Sequence, residues 1–322
     1  MINLHFYLRF HTEFGQTLWI TGNTEELGMD EPMRAVPMTY LNDQYWEVNI
    51  GTVRKDWPEK GITYKYFLRN KENEVTAEWG RDRLVQQPGK DIAGIQLHDT
   101  WNHAGEYENA FFTAPFNNVL LKPNHPRHKD RVPKTYTHIF RVKAPLLEKH
   151  EVVCLSGGDH ALGDWEENGE LSLSKEGDWW TAYLDLSKSH FPLAYKYGVY
   201  NSKEERFIRF EDGDNRFVQS HPSAHDLTVI HDGFIHLPNN TWKGAGVSIP
   251  VFSLRSKKSF GVGEFTDLKL LVDWANETNL KLIQILPVND TTATHTWVDS
   301  YPYAAISAFA LHPLYINLET CA

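Results

Sequence analysis

Trp79 and Trp165 each stand beside a glycine and charged residues, in stretches that read as turns: Glu78-Trp79-Gly80-Arg81-Asp82 and Leu162-Gly163-Asp164-Trp165-Glu166. A large ring in such a place has no natural core role and is better suited to meeting a ligand. A sugar fits that chemistry. The C–H face of a pyranose is flat and apolar while its rim is hydroxylated, so aromatic platforms with a few amide or ammonium donors match both surfaces. Platforms are plentiful, since 11 Trp, 14 Tyr and 17 Phe make 13% of the chain, more than its core requires. Protein interfaces use the same residue types, so composition leaves both readings open. Trp46 and Trp180 lie inside strand-like stretches and are expected to pack in a core. Lys65 and Lys196, taken alone, read as solvated strand lysines. His125, His128, His225, His231 and His236 lack the close pairing of a metal site and read as loop residues, so neither metal nor cofactor is expected.

The elements that must position these residues read as short strands. Residues 3–10, 17–21, 46–50 and 64–68 alternate or cluster apolar and β-branched side chains at turn-separated spacing, with no convincing helix between them. Residues 113–134 hold four prolines and a polar, basic run, the composition of a linker. The pattern then restarts at 137–142, 151–155, 180–184 and 194–200, a repeat of about a hundred residues. Gly22–Gly28 corresponds to Gly158–Gly163, Trp46 to Trp180, Tyr64-Lys65-Tyr66 to Tyr195-Lys196-Tyr197, and Asp82-Arg83 to Asn215-Arg216. Two copies of one all-β immunoglobulin-like sandwich account for this economically. Beyond residue 240 the character changes. Gly246–Leu254 reads as a buried strand, and Thr266 offers an N-cap to a helix over 267–278 whose Leu268, Leu271, Val272 and Ala275 share a face. Lys281–Val288 follows as a strand apolar enough to be covered on both faces. Strand, helix, strand is a βαβ unit, expected here to be the first part of an incomplete (β/α)8 barrel, because a whole one takes roughly 250 residues and about eighty remain. The expected division is 1–112, a linker at 113–134, 135–238, and 239–322.

Charge and cysteine usage narrow the partners. With 42 acidic against 32 basic side chains, the formal charge of −10 repels phosphate backbones, so nucleic acid is not expected. The opening residues lack a basic, then apolar leader, and no stretch is long enough to span a bilayer, so no membrane partner is expected either. Cys154 and Cys321 lie far apart, which speaks against a disulfide framework and suits a reducing, cytoplasmic setting. The oligomeric state is not legible.

The repeat resembles the carbohydrate-binding module of family 20, the starch-binding domain. The motifs that carry the likeness are a Gly-x-x-x-x-Leu-Gly-x-Trp loop, a Tyr-Lys-Tyr strand and a late Asn-Arg pair. The resemblance implies an α-glucan or malto-oligosaccharide ligand. In the second copy it implies Trp165 as one platform, Lys196 as the ammonium, Phe210 where a second platform Trp is usual, and Asn215 as the amide. In the first copy Trp79, Lys65 and Asp82 match, whereas Asp30 stands where the loop Trp would be. The second copy is therefore expected to bind more tightly. The last segment resembles the opening of glycoside hydrolase family 77, the amylomaltases and disproportionating enzymes, through Gly246–Leu254, Gly261–Leu268, Gln284–Val288 and Asp299–Tyr303. The order of the whole chain is similar to that of plant-type 4-alpha-glucanotransferases with two starch-binding modules in front. This implies a substrate contact for Tyr303 alone. The family's retaining chemistry uses two carboxylates on later strands. Glu264, Asp267 and Asp273 do not match them, so residues 1–322 alone are expected to be inactive, with no catalytic residue. The alternative is a non-catalytic starch-binding protein. A plain α-amylase fits less well, since such a module usually sits at its other end.

Overall fold

The structure is a computed structural model and describes residues 1–121, 133–166, 169–219, 223, 225–238 and 241–320. The chain divides into two compact units, Met1–Asn240 and Thr241–Ala322.

In the first unit the strands run β1 Ile2–Arg9, β2 Thr17–Gly22, β3 Val36–Pro37, β4 Thr39–Asn42, β5 Tyr45–Thr52, β6 Ile62–Arg69, β7 Val75–Ala77, β8 Arg83–Val85 and β9 Gly94–Thr100. The second copy supplies β10 His138–Lys143, β11 Glu151–Gly157, β12 Leu171–Ser172, β13 Ser174–Glu176, β14 Trp179–Leu184, β15 Leu193–Asn201, β16 Arg206–Phe210, β17 Arg216–Val218 and β18 Asp226–Phe234. Each copy places its β2/β6 or β11/β15 sheet against a second sheet, and one core of large apolar residues fills each sandwich. Trp46 and Trp180 are buried, as their place inside strands predicts. The proline-rich stretch begins with one turn of π-helix at Phe116–Leu120, and 122–132 lie outside the described residues.

The second sheets of the two copies are one sheet. Its order is β13-β14-β10-β18-β9-β1-β5-β4, and the junction is a parallel pairing of the equivalent strands β9 and β18 from Gly94↔Asp226 to Asp99↔His231. Because strand side chains alternate faces, β18 serves both cores. Leu227 and Val229 pack in the first core, Ile230 in the second. His231, expected in a loop, therefore lies in a buried strand, where Asp99 accepts a 2.6 Å hydrogen bond from its Nδ1.

The second unit holds β19 Gly246–Ile249 and β20 Leu282–Ile285, paired in parallel, with helix α1 Asp267–Glu277 between them in sequence. Three local expectations fail here. Thr266 already has helical φ/ψ and makes no side-chain cap, while the Asp267 carboxylate accepts the Glu264 N–H at 2.9 Å. Leu282 and Ile285 of β20 are exposed, so the strand is not covered on both faces among the described residues. Leu268 and Leu271 pack toward a small core of Val251, Leu254 and Tyr315, and Ala275 is buried, but Val272 of the expected face is exposed.

Candidate functional site

Period-2 alternation places Tyr195 and Tyr197 inward and Lys196 outward on β15, and Tyr64, Tyr66 and Lys65 likewise on β6. Inside, both tyrosine hydroxyls of each copy donate to a single carboxylate oxygen. In the second copy this is Asp232 Oδ2, at 2.9 Å from each; in the first it is Asp99 Oδ2, at 2.8 and 2.7 Å. An arginine closes each network: Arg216 grips Glu211 in a bidentate pair of 2.9 and 2.8 Å, and Arg83 reaches Glu78 at 2.6 Å. Burial opposes the charge of Arg216, but Asp232 and Glu211 push its guanidinium further up. These buried groups clamp the turns that carry the candidate ligand residues. Their signal in the sequence is Glu-x-x-x-x-Arg, which occurs at 78–83 and again at 211–216.

Outside, Lys196 Nζ donates to Gly213 O at 2.6 Å, and Lys65 Nζ makes the equivalent bond to Gly80 O at 3.2 Å. An ammonium has three donors, so each lysine also braces the turn bearing Asn215 or Asp82. Lys65 lies 3.8 Å from the Asp82 carboxylate.

The loop carrying Trp165 is fixed by chain geometry. Leu162 is fully buried and anchors it. Gly163, Asp164 and Trp165 then take three successive left-handed conformations, φ 80°, 52° and 59°. A Cβ on Gly163 would lie 2.0 Å from Gly169 O, so only glycine fits there. The Trp165 ring stands 6.3 Å from that of Phe210, at 71° between planes, and both remain more than a third exposed. Phe207 backs Phe210 at 4.5 Å, in space left by Gly198. The structure thus brings Trp165 and Phe210 together as two exposed rings inclined to one another. It sets Lys196 and an exposed Asn215 at the adjoining turn.

The first copy repeats the loop but not the rings. Gly28, Met29 and Asp30 show the same run of φ, 82°, 56° and 61°, so Asp30 occupies the Trp165 position. Its carboxyl is pushed up by partial burial and by the Asp82 charge. Trp79 requires a correction. Ala77 faces Phe67 across β6/β7 as Phe210 faces Gly198 across β15/β16, and Glu78 bonds to Tyr66 as Glu211 does to Tyr197. Ala77 is therefore the counterpart of Phe210, and Trp79 falls two residues later, at the place of Asp212. Tyr303, in the second unit, is exposed with its ring 5.4 Å from that of Tyr301. Glu264 is buried and accepts hydrogen bonds from Phe260 N and Asn317 Nδ2. No group of three or more metal-ligating side chains occurs among the described residues, and no helix there is long and apolar enough to cross a membrane.

The starch binding domain family matches residues 1–93 and 137–229, and the glycoside hydrolase family 77 domain, described as 4-alpha-glucanotransferase, matches 249–322. The rice (Oryza sativa subsp. japonica) 4-alpha-glucanotransferase DPE2 is 33% identical over 99% of this chain, which covers 35% of that protein. A 4-alpha-glucanotransferase from Chlamydia pneumoniae is 35% identical over 33% of the chain and is covered over 17% of its own length. The chain thus spans about a third or less of these relatives. Among solved structures, the family 20 module of a maltotetraose-forming amylase from Pseudomonas saccharophila aligns at 18% identity with a TM-score of 0.25, over 30% of this chain and 98% of that one.

Proposed function

Because this chain belongs to the starch binding domain family, in two copies, we propose that it grips α-1,4-glucan chains on behalf of a retaining 4-alpha-glucanotransferase whose barrel opens within residues 239–322. The observation that carries the reading is the Trp165/Phe210 ring pair beside Lys196 and Asn215. Two exposed faces set at 71° suit a glucan that curves from one sugar to the next. In this reading 1–112 and 135–238 are the two binding modules and 113–134 joins them. The βαβ arrangement of β19, α1 and β20 supports a barrel opening, and Tyr303 contacts substrate beside the scissile bond. Lys65, Asp82 and Trp79 are the ligand residues of the first module. Glu264 and Asp267 are committed to buried hydrogen bonds, which supports a chain without its own catalytic carboxylates. The free, buried Cys154, its thiol pushed up by burial, supports a reducing, cytoplasmic setting.

The test is calorimetric titration with maltoheptaose. One ring over one sugar face removes on the order of 60–100 Å² of apolar surface, about 1.5–2.5 kcal/mol. Trp165→Ala is therefore expected to weaken binding roughly 10-fold to 70-fold, and the same sample is expected to release no glucose from maltotriose. Unchanged binding in the variant would place the ligand elsewhere. A gain-of-function experiment follows from the first copy: Asp30→Trp combined with Ala77→Phe rebuilds the missing rings and is expected to tighten maltoheptaose binding about 10-fold in a Trp165→Ala background. No gain there would mean that the equivalent loops do not present equivalent surfaces.

A further inference from the structure

The duplication creates two related clefts that adjoin and share Lys143 and Trp179, and the larger differs in carrying Trp79 as well. The strand pairing β9/β18 fixes each module's turn region against the outer face of its neighbour's part of the shared sheet. In one cleft, of about 680 Å³, the first module offers Arg9 and Gln44 and the second offers Asp212 and Asn215. In the other, of about 840 Å³, the first module offers Lys65, Trp79 and Asp82, and the second offers Lys143 and Trp179. Lys143 is the counterpart of Arg9, since Val142 pairs with Trp180 as Leu8 does with Trp46. Trp79 is the counterpart of Asp212. The larger cleft therefore sets Trp79 beside the shared Trp179, whereas the smaller, which also touches the buried Trp101, has the Asp212 carboxylate at the position aligned with Trp79.

From this geometry we propose that the larger cleft is a composite binding site for a linear α-1,4-glucan segment, formed by both modules together. The inference rests on the α-glucan reading above. It explains why the first module lacks both rings of its own surface, with Asp30 and Ala77 at those places, yet exposes Trp79 by 48%. Its aromatic contact is displaced into the cleft, and the second module completes it. The Lys143 ammonium lies over Trp179 at 4.7 Å and Phe112 at 5.3 Å. Among the described residues it makes no hydrogen bond or ion pair, so its N–H donors are available to ligand hydroxyls. Burial lowers its pKa to about 8, with Arg83 adding to the effect. Acceptors are present too, in Asp82 and in Asp178 of the turn between β13 and β14. The cleft's volume falls in the range of roughly 300–1,000 Å³ typical of small-molecule sites. Rings, free donors and carboxylates around one cleft are what a polyhydroxylated chain with apolar faces requires.

The experiment uses the whole chain and maltoheptaose in a calorimeter, in a Trp165→Ala background that removes the ring pair of the second module. Residual binding is expected there. Adding Trp179→Ala is expected to weaken it at least 10-fold, although Trp179 belongs to the other module, and Trp79→Ala is expected to do the same. Trp79 is half exposed, so its variant decides the matter if Trp179→Ala does not fold. Asp212→Ala in the smaller cleft is expected to leave the residual binding unchanged. Residual binding untouched by Trp79→Ala, or absent in Trp165→Ala alone, overturns the composite site while leaving the α-glucan reading intact. Failure of the unsubstituted chain to bind maltoheptaose overturns the α-glucan reading itself, and the composite site with it.

Discussion

Asp99→Ala is expected to destabilise the Met1–Asn240 unit by about 3–5 kcal/mol, the usual consequence of removing one partner from a buried charge network. Asp99 is 1% exposed. Burial works against its charge, yet Arg83 and His231 hold its carboxyl well below the ordinary carboxylate range. It accepts from Tyr64, Tyr66 and His231, and Arg83 Nε lies 3.8 Å away. An ionised carboxylate only accepts, so His231 carries its proton on Nδ1, and its Nε2 is left to accept from Arg141 Nη1 at 3.4 Å. Truncation leaves an imidazole and two hydroxyls buried without their acceptor and takes one of two carboxylates from Arg83, which keeps Glu78 and the Thr100 carbonyl. Urea unfolding followed by tryptophan fluorescence measures the effect. Asp232→Ala removes the matching acceptor of Tyr195 and Tyr197 in the second copy, but among the described residues the hydrogen bonds to that carboxylate come from the second copy alone. Both modules are therefore expected to unfold together in the parent and to separate into two transitions in Asp99→Ala rather than in Asp232→Ala. A midpoint for Asp99→Ala within experimental error of the parent would refute the bridging role.

Acid is expected to weaken the same unit. His98, one residue before Asp99 on β9, has its pKa lowered to about 4, chiefly by burial. Burial also lowers His231, against the pull of Asp99. Histidines that stay neutral in the folded chain take up protons near pH 6.5 when it unfolds. Their contribution is complete above about pH 6.5 and is lost as the pH falls toward 4, by roughly 3 kcal/mol for His98. His236 has the opposite sign. Its pKa is raised by the hydrogen bond to Glu108, so its contribution is present in acid and lost as pH rises through that raised value. The large downward shift of His98 decides the net direction. Taking the Tm of a unit this size to move about 2–4 °C per kcal/mol, melting curves at pH 7.5 and pH 5 are expected to differ by several degrees. His98→Gln is expected to flatten the difference, and an unchanged slope in that variant would assign the acid sensitivity to other groups.

The two sandwiches were legible because a strand that must bury one face repeats its apolar spacing wherever it is copied. Lys65 and Lys196 were legible for the same reason, each flanked by two tyrosines that face inward. The register of Trp79 was not, because Glu78 rather than any ring is the fixed point of that turn, and the bonds between Glu78 and Tyr66 reveal it together with the pairing of Ala77 and Phe67. The joining of the modules left one trace: Leu227-Thr228-Val229-Ile230 lacks the polar alternation of a half-exposed strand. That run shows burial on both faces without naming the strand that lies beside it. For β20 the apolar run misled, since its composition describes what could cover Leu282 and Ile285 and not what does so in the described residues.

The parallel seam between β9 and β18 also bears on what a single module could be. Cut apart, each half would present the seam strand as a bare edge, with its N–H and C=O groups turned to water, and β18 would bring the apolar side chains of Leu227 and Val229 with it. Such an edge is a template for pairing with any other extended chain. A solitary second module is thus predisposed to dimerise or aggregate through the strand that here meets its own twin. The tandem arrangement is a form of mutual edge protection, and a duplicated ancestor held together this way would lose solubility if it lost either half.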